Sequence, residues 1–146
     1  MKLTRISYNS LKSSRARENF NFHQIAARLA EYGYHSIRLA DDWQGADFIA
    51  VHVEDGTVLK VQLKARLSID RRYLGKNLYI AFRDGMEIFL YDHDMLVGYV
   101  VQQARINTES LSWKRRGIWN WPTVPEWARN WLYTHDFHLR AGEGVE

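Results

Sequence analysis

The stretch GADFIAVHVEDGTVLKVQLKAR, residues 45–66, contains two strand-like runs joined by a tight-turn signal. The first run is mostly apolar and holds a single acid, Asp47. The second run alternates apolar side chains with Lys60, Gln62 and Lys64. An Asp-Gly pair between two such runs is typical of a β-hairpin turn. The stretch therefore predicts an antiparallel hairpin that carries an acid, an amide and lysines among apolar residues.

A two-residue turn at Asp55-Gly56 would set the pairing of the two strands. It makes Asp47 and Lys64 direct cross-strand neighbours, and it places Gln62 on the same face, diagonal to Asp47. A slip of one residue would move Asp47 to the opposite face. The register therefore decides whether these three side chains can meet.

Two explanations of the polar side chains remain open at this point. Both faces of the hairpin carry apolar residues, so polar groups among them would be partly desolvated, which is costly unless they are paired or used. A reaction site is one explanation. A solvated strand face with one ion pair between Asp47 and Lys64 is the other.

The flanking sequence predicts a helix before this hairpin and a second hairpin after it. Apolar residues repeat at helical spacing within residues 14–32, with Phe22 and Ile25 on the stripe. The full predicted order is helix 14–32, strand 34–40, loop 41–45, the first hairpin, a basic connection, a hairpin over 78–92 turning at Asp84-Gly85, a helix within 94–105, and a last helix beginning at Pro125. The β-branched residues within 94–105 leave a strand there as the alternative. This order predicts an α/β or α+β fold with a mixed central sheet flanked by helices.

An acid on a strand after glycine, a hairpin, and then an acid or amide followed by X-Lys resemble the PD-(D/E)XK nuclease superfamily. The segments EYGY and HSIRLA fit the α-β-β-β opening of that superfamily, and the resemblance covers about residues 15–95. The pair GADFIA and VQLKAR is most similar to the Mrr-like restriction endonucleases, in which Gln commonly replaces the second acid. The resemblance implies a restriction endonuclease-like fold and metal-dependent hydrolysis of DNA phosphodiester bonds.

The resemblance also implies a role for each matching residue. Asp47 matches the metal-binding aspartate, Gln62 the second ligand, and the backbone carbonyl of Leu63 a further ligand position. Lys64 matches the catalytic lysine. Glu18 matches the acid of the first helix, although a favourable position in the helix dipole explains it equally well. The implied cofactor is Mg²⁺, with Mn²⁺ as a substitute. Because Gln62 is neutral, a catalytically weakened nucleic-acid-binding module on the same fold is the alternative function.

Two basic segments are candidates for DNA binding. The first contains Arg66, Arg71, Arg72 and Lys76; the second contains Lys114, Arg115 and Arg116 within the Trp-rich stretch 112–121. A solvated connection explains the first segment equally well. The tryptophans of the second could stack on bases, but packing into a core or a dimer interface is the better explanation. A self-associating interaction protein is therefore a third functional class, and a homodimer is one expected assembly.

Composition limits the remaining classes. The 146 residues fit one domain, with a core over about 15–105, a Trp-rich part over 106–138 and a tail over 139–146. The absence of cysteine excludes disulfides and zinc–thiolate sites, and a net charge of +3 favours a polyanionic partner only weakly. No secretory leader or membrane-length apolar run is visible, so we expect a cytoplasmic protein that does not bind membranes. The segments YDHD (91–94) and HDFH (135–138) are better explained as strand-end and helix-end surface residues than as metal ligands. A turn or cap role is the better explanation of Asp41 and Asp42.

Overall fold

The computed structural model describes residues 1–142. The helices are α1 (Ser14–Glu31), α2 (His93–Gln102) and α3 (Glu126–Thr134). The strands are β1 (Tyr34–Trp43), β2 (Ala46–His52), β3 (Val58–Leu63), β4 (Ser68–Asp70), β5 (Leu78–Asp84), β6 (Glu87–Asp92), β7 (Ile118–Asn120) and β8 (His138–Leu139). Short 3₁₀ turns lie at Tyr8–Ser10 and Arg71–Tyr73, and a π-helical turn at Ser112–Arg116. Within the described range, no helix has both the length and the apolar character needed to cross a membrane.

A six-stranded sheet forms the centre of the molecule, in the order β1-β2-β3-β5-β6-β8. Strands β3 and β5 are parallel, and the other neighbours are antiparallel. Parallel neighbours need a crossover connection, and here that connection contains β4, which pairs with β7 in a separate two-stranded sheet. The predicted mixed sheet and the predicted α-β-β-β opening are both confirmed.

The two faces of the central sheet are covered by different helices. The adjacent residues Ile80 and Ala81 of β5 point to opposite faces, and they belong to different core clusters. The cluster of Ala81 contains the apolar stripe of α1, and the cluster of Ile80 contains residues of α2 and α3. The predicted fold class, helices flanking a mixed central sheet, is therefore confirmed.

Helix α1 begins at the predicted residue and ends one residue before the predicted end. The Ser13 side chain accepts a hydrogen bond from the backbone N–H of Ala16 at 3.0 Å, which is an N-cap. Gly33 follows the helix with a φ of +85°, a conformation that glycine adopts without strain. The buried residues Phe22 and Ile25 lie on the predicted stripe, so α1 is fixed against the sheet along its length.

The first hairpin is present, but its register differs by two residues from the predicted one. Phe48 pairs with Val61, and continuing the ladder places Asp47 opposite Gln62. The predicted direct pairing of Asp47 with Lys64 is therefore wrong. Because a slip by an even number leaves every side chain on its original face, the acid, the amide and the lysine still share one face.

The reason for this difference is the loop, which has four residues rather than two. His52 N–H donates to the carbonyl of Thr57 at 2.8 Å and closes the ladder there. The Asp55 carboxylate accepts from Thr57 N–H at 2.8 Å, and Glu54 N–H donates to Nδ1 of His52 at 3.2 Å. These side-chain bonds stabilise the longer turn, so the Asp-Gly signal located the turn but not its length.

Strand β1 is longer than predicted. It continues to Trp43, which pairs with Ala46, so the predicted loop 41–45 is only the turn Gln44-Gly45. The Asp42 carboxylate accepts from Gly45 N–H at 2.9 Å. Asp42 therefore has the turn-stabilising role that the sequence favours.

The second hairpin also turns one residue later than predicted. Asp84 pairs with Glu87, so its loop is Gly85-Met86 rather than Asp84-Gly85. Arg129 of α3 forms ion pairs with both Asp84 and Glu87. This shared partner holds the two acids side by side at the end of the hairpin.

The C-terminal third packs on the central sheet. Trp113, Trp121 and Trp131 are buried in the same cluster as Phe82 of β5. This burial supports the core explanation of these tryptophans. The predicted tail begins later than residue 139, because Leu139 is buried and pairs with β6; residues 143–146 of that tail lie outside the described residues.

Candidate functional site

Strands β2 and β3 separate at Asp47. The backbone ladder ends at the pair Phe48 and Val61. Further along β3, the N–H of Leu63 donates to Oδ2 of Asp47 at 2.8 Å. A side-chain carboxylate thus occupies the place of a backbone carbonyl. This bond fixes the orientation of the Asp47 side chain. It uses only Oδ2, so Oδ1 can bind a different partner.

The environment of Asp47 disfavours its negative charge. Burial is the largest cause that raises the pKa of Asp47, and the nearby carboxylates of Glu18 and Asp42 raise it further. The hydrogen bond from Leu63 N–H and the charge of Lys64 act in the opposite direction, but the net pKa is above its ordinary value. A cation beside Asp47 would favour the ionised carboxylate.

Gln62 brings an unpaired oxygen to the same place. Its Oε1 is buried and has no hydrogen-bond partner among the described residues. Its Nε2 donates to the carbonyl of Leu63 at 3.4 Å, a long bond. A buried carbonyl without a partner is costly, and a hard cation would provide the missing partner because Mg²⁺ and Ca²⁺ take oxygen ligands.

The oxygen donors at this position are of three kinds: the Asp47 carboxylate, the Gln62 amide oxygen and the Leu63 backbone carbonyl. Within residues 1–142, no group of three or more His, Asp or Glu side chains comes together that could hold a metal ion. The donor set suits a hard divalent cation by the type of its atoms, although it contains a single carboxylate. We refer to Asp47, Gln62, Leu63 and Lys64 together as the Asp47 site.

Lys64 follows directly on β3 and is half-buried. Its N–H donates to the carbonyl of Ala81 at 2.9 Å, which continues the pairing with β5 beyond the end of the strand. Its ammonium lies 5.4 Å from the centroid of the Tyr73 ring, a cation–π distance. Tyr73 also lies 6.0 Å from the guanidinium of Arg72. Sequence reasoning did not identify Tyr73, which joins the lysine to the basic connection.

Glu18 reaches the same region from α1. It lines a cavity of about 440 Å³ together with Asp47, and a second one of about 290 Å³ together with Lys64. It also forms a 3.3 Å ion pair with Arg38. Glu18 is the fifth residue of α1, beyond the first turn, so the helix dipole explains it less well than the shared cavities do.

Arg72 holds its own segment in place. It forms a 2.6 Å ion pair with the buried carboxylate of Asp70. Burial tends to raise the pKa of Asp70, but hydrogen bonds and charge from Arg72 lower it below its ordinary value. Arg72 therefore has a structural role, because it neutralises the buried carboxylate of Asp70.

Arg71 joins the two predicted DNA-binding segments. Its guanidinium lies 5.4 Å from the Trp113 ring and donates to the carbonyl of Lys114 at 2.8 Å. The N–H of Arg71 donates to the carbonyl of Gly117 at 2.7 Å. The two segments, distant in sequence, thus form one surface. The other predicted DNA-binding residues are all exposed: Lys114, which pairs with Glu109, and Arg66, Lys76, Arg115 and Arg116.

Two further residues hold the basic connection and were assigned to the surface by sequence. Tyr91 and His93 are fully buried, so that assignment is wrong for both. His93 accepts from Asp70 N–H at 3.0 Å, and Tyr91 bonds both backbone groups of Ser68. Burial lowers the pKa of His93, which favours the neutral ring that this hydrogen bond needs.

No protein-family model matches this chain, and no curated protein matches its sequence. The solved structures that are similar in part include two nucleases. The bacterial homing endonuclease I-Ssp6803I gives a TM-score of 0.45 at 17% identity, covering 61% of this chain and 72% of that one. The Holliday junction resolvase Hjc of the archaeal hyperthermophile Archaeoglobus fulgidus gives a TM-score of 0.43 at 14% identity, covering 54% of this chain and 75% of that one. We therefore infer the function from the side chains of this chain.

Proposed function

We propose that this chain is a metal-dependent nuclease that hydrolyses phosphodiester bonds in DNA. Its fold would be of the PD-(D/E)XK type, with an Mrr-like Asp…Gln-X-Lys motif. One observation carries this proposal: Asp47, Gln62 and Lys64 share a face at the point where two strands separate, with the buried Oε1 of Gln62 lacking a partner among the described residues.

The proposed cofactor is Mg²⁺, with Mn²⁺ as a substitute. The ligands would be the Asp47 carboxylate, Oε1 of Gln62 and the carbonyl of Leu63, all hard oxygen donors. When bound, the ion would act as a Lewis acid towards the phosphate group. The raised pKa of Asp47 supports this assignment, because a cation would relieve the unfavourable charge.

The side chains around these ligands have separate tasks. The ammonium of Lys64 would stabilise the negative charge that grows on the phosphate oxygens during hydrolysis. Glu18 lines the same cavities as Asp47 and Lys64, and it would supply the negative charge that Gln62 does not. The packing of Lys64 against Tyr73 would limit the directions in which its ammonium can point.

DNA would lie across the surface that Arg71 assembles. Arg66, Lys76, Arg115 and Arg116 are exposed there, and we propose that they contact phosphates. Arg72 is adjacent to Lys64 through Tyr73. Phosphates bound along this surface would therefore lead towards the Asp47 site.

Cleavage of supercoiled plasmid and of linear duplex DNA tests this function. We expect cleavage with Mg²⁺ or Mn²⁺ and none with excess chelator. Asp47→Asn and Lys64→Ala should each reduce the rate by about 10²-fold or more. Lys60→Ala is the matched control, because Lys60 lies on the same strand and face but contacts Gln44 and Trp43; it should retain activity. Full activity of Asp47→Asn would contradict the assignment.

A second candidate is a nucleic-acid-binding module on the same fold. The neutral Gln62, where the motif has an acid, favours it. In that case the protein would bind DNA but would not cleave it with either metal. Binding without cleavage would thus select this function.

A further inference from the structure

The first seventeen residues form a basic segment that the proposed site does not include. Five of them are Lys or Arg and none is Asp or Glu; the basic residues are Lys2, Arg5, Lys12, Arg15 and Arg17. The rest of the chain has fifteen basic and seventeen acidic residues. The whole positive net charge of the protein therefore comes from residues 1–17.

This segment is attached to the fold at Tyr8. Asn21 of α1 donates to the Tyr8 hydroxyl at 3.1 Å, and the guanidinium of Arg83 lies 4.9 Å from the Tyr8 ring centroid. Arg17 donates to the carbonyl of Leu11 at 2.7 Å, which closes the segment onto the start of α1. These contacts fix the position of residues 8–17 of the segment.

The attachment brings the segment next to the Asp47 site. The cavity of about 290 Å³ lies between Tyr8 and Arg17 on the segment and Leu63 and Lys64 at the end of β3. Arg15 lines the neighbouring cavity of about 440 Å³ together with Asp47. The basic segment is thus a wall of the clefts that lead to the proposed catalytic residues.

Four basic side chains of residues 1–17 are available for an external partner. Lys2, Arg5, Lys12 and Arg15 are exposed. None of these four forms an ion pair with an acid of residues 1–142. Of these four, Arg15 lines the cavity of about 440 Å³. Exposed cations that have no internal partner and that belong to a segment beside a cleft would attract a polyanion to that cleft.

We propose that residues 1–17 bind the phosphate backbone of DNA and hold the substrate against Lys64. This inference rests on the proposed function for the identity of the polyanion. Phosphate contacts position a nucleic acid without reading its sequence. The segment would supply such contacts beside α1. The surface formed by residues 66–76 and 114–116, which Arg71 joins, reaches Lys64 through Tyr73. DNA would then be held by two basic surfaces that meet at the catalytic lysine.

The test measures DNA affinity as a function of KCl concentration, without metal and in the Asp47→Asn background, by fluorescence anisotropy of a labelled duplex. The test pair is Arg5→Gln with Lys12→Gln. The control pair is Arg105→Gln with Arg140→Gln, which removes the same charge from exposed positions elsewhere. The slope of log K against log[salt] should fall by up to ~2 units in the test pair, about 0.9 for each phosphate that is no longer neutralised, and stay unchanged in the control pair.

Two results would overturn this role of residues 1–17. One is a salt-dependence slope in the test pair that equals the slope of the parent protein. The other is an equal change in the control pair, which would show an effect of net charge alone. Loss of binding to anionic phospholipid vesicles, with DNA binding unchanged, would assign the segment to a membrane surface instead. If the parent protein binds no DNA, the proposed function also fails; if the parent binds DNA and only the segment has no effect, the proposed function stands.

Discussion

The backbone N–H of Leu63 donates to Oδ2 of Asp47 at 2.8 Å. This bond joins the acid of β2 to the Gln-X-Lys segment of β3 at the point where the two strands part. Leu63 is the residue between Gln62 and Lys64. The relative positions of the three side chains are therefore set by the sheet, whose strands hold a site more precisely than a loop would.

Asp47→Asn should raise the midpoint of thermal unfolding of the metal-free protein at neutral pH. Burial, with help from Glu18 and Asp42, raises the pKa of Asp47 above its ordinary value of 3.8. The folded state therefore favours the protonated carboxyl group of Asp47. The stability that this preference contributes is fully present below that value and is lost as the pH rises through the raised pKa. Asparagine stays neutral and keeps an oxygen for the Leu63 N–H.

The advantage of Asp47→Asn should therefore shrink as the pH is lowered towards 3.8. Melting curves in chelator, recorded across this range for both proteins, measure it. A variant that is less stable at neutral pH, or a difference that does not change with pH, would show that desolvation does not dominate at Asp47.

Gln62→Glu should tighten binding of Mg²⁺ or Mn²⁺ and preserve or raise cleavage. The change replaces a neutral amide with a carboxylate, and a hard cation binds a charged oxygen more strongly. Without metal, the new acid should destabilise the protein, because it adds a second negative charge beside Asp47. Isothermal titration calorimetry with MnCl₂ gives the affinity.

Gln103→Glu is the control for that experiment, since it adds the same charge at an exposed residue after α2. It should leave metal affinity unchanged. Equal affinities in Gln62→Glu and the parent protein would mean that residue 62 is not a ligand.

Arg72→Ala should lower the free energy of unfolding at neutral pH, because it leaves the buried carboxylate of Asp70 without its main side-chain partner. The pKa of Asp70 is below its ordinary value, so the stability from this pair is present above that value and is lost as the pH falls through the lowered pKa. The cost of the substitution should disappear in the same range.

Lys76→Ala, at an exposed residue of the same connection, is the comparison for Arg72→Ala. It should leave stability unchanged and reduce only the salt dependence of DNA binding, by about 0.9 units of slope. Urea denaturation of both variants at several pH values separates the two roles. Equal stability of the two variants at neutral pH would show that Arg72 is a solvated surface residue without a structural role.

Trp113→Ala should cost about 3–5 kcal/mol of unfolding free energy, because it removes a buried ring from the main core. It also removes the ring that Arg71 packs against, so the basic surface should become less ordered. Trp43→Ala, at a half-exposed ring, should cost much less. Urea denaturation gives both values, and similar costs for the two variants would contradict the core role of Trp113.

Local patterns in the sequence predicted the helices, the longer strands and the shared face of Asp47, Gln62 and Lys64, but not the exact pairing. Strict alternation in residues 58–66 fixes which side chains share a face. The register depends on the length of the loop, which His52 and Asp55 set by hydrogen bonds to nearby backbone groups. Such bonds leave no periodic signal, so the face was predicted correctly and the partner of Asp47 was not.

Contacts between distant segments were the other part that the sequence did not show. Strand β4 pairs with β7, which lies much later in the chain, and Tyr91 and His93 bind the backbone of β4 from the end of β6. Three-residue strands carry no recognisable pattern. For the same reason, the sequence did not reveal that Arg71 joins the two basic segments.

The metal site is tested most directly by anomalous X-ray scattering from crystals soaked in MnCl₂. We predict a peak in contact with the Asp47 carboxylate, Oε1 of Gln62 and the carbonyl of Leu63. The peak should be missing from crystals of Asp47→Asn soaked in the same way. An absence of manganese at Asp47 in the parent protein, with or without a peak elsewhere, would contradict the assignment of this site.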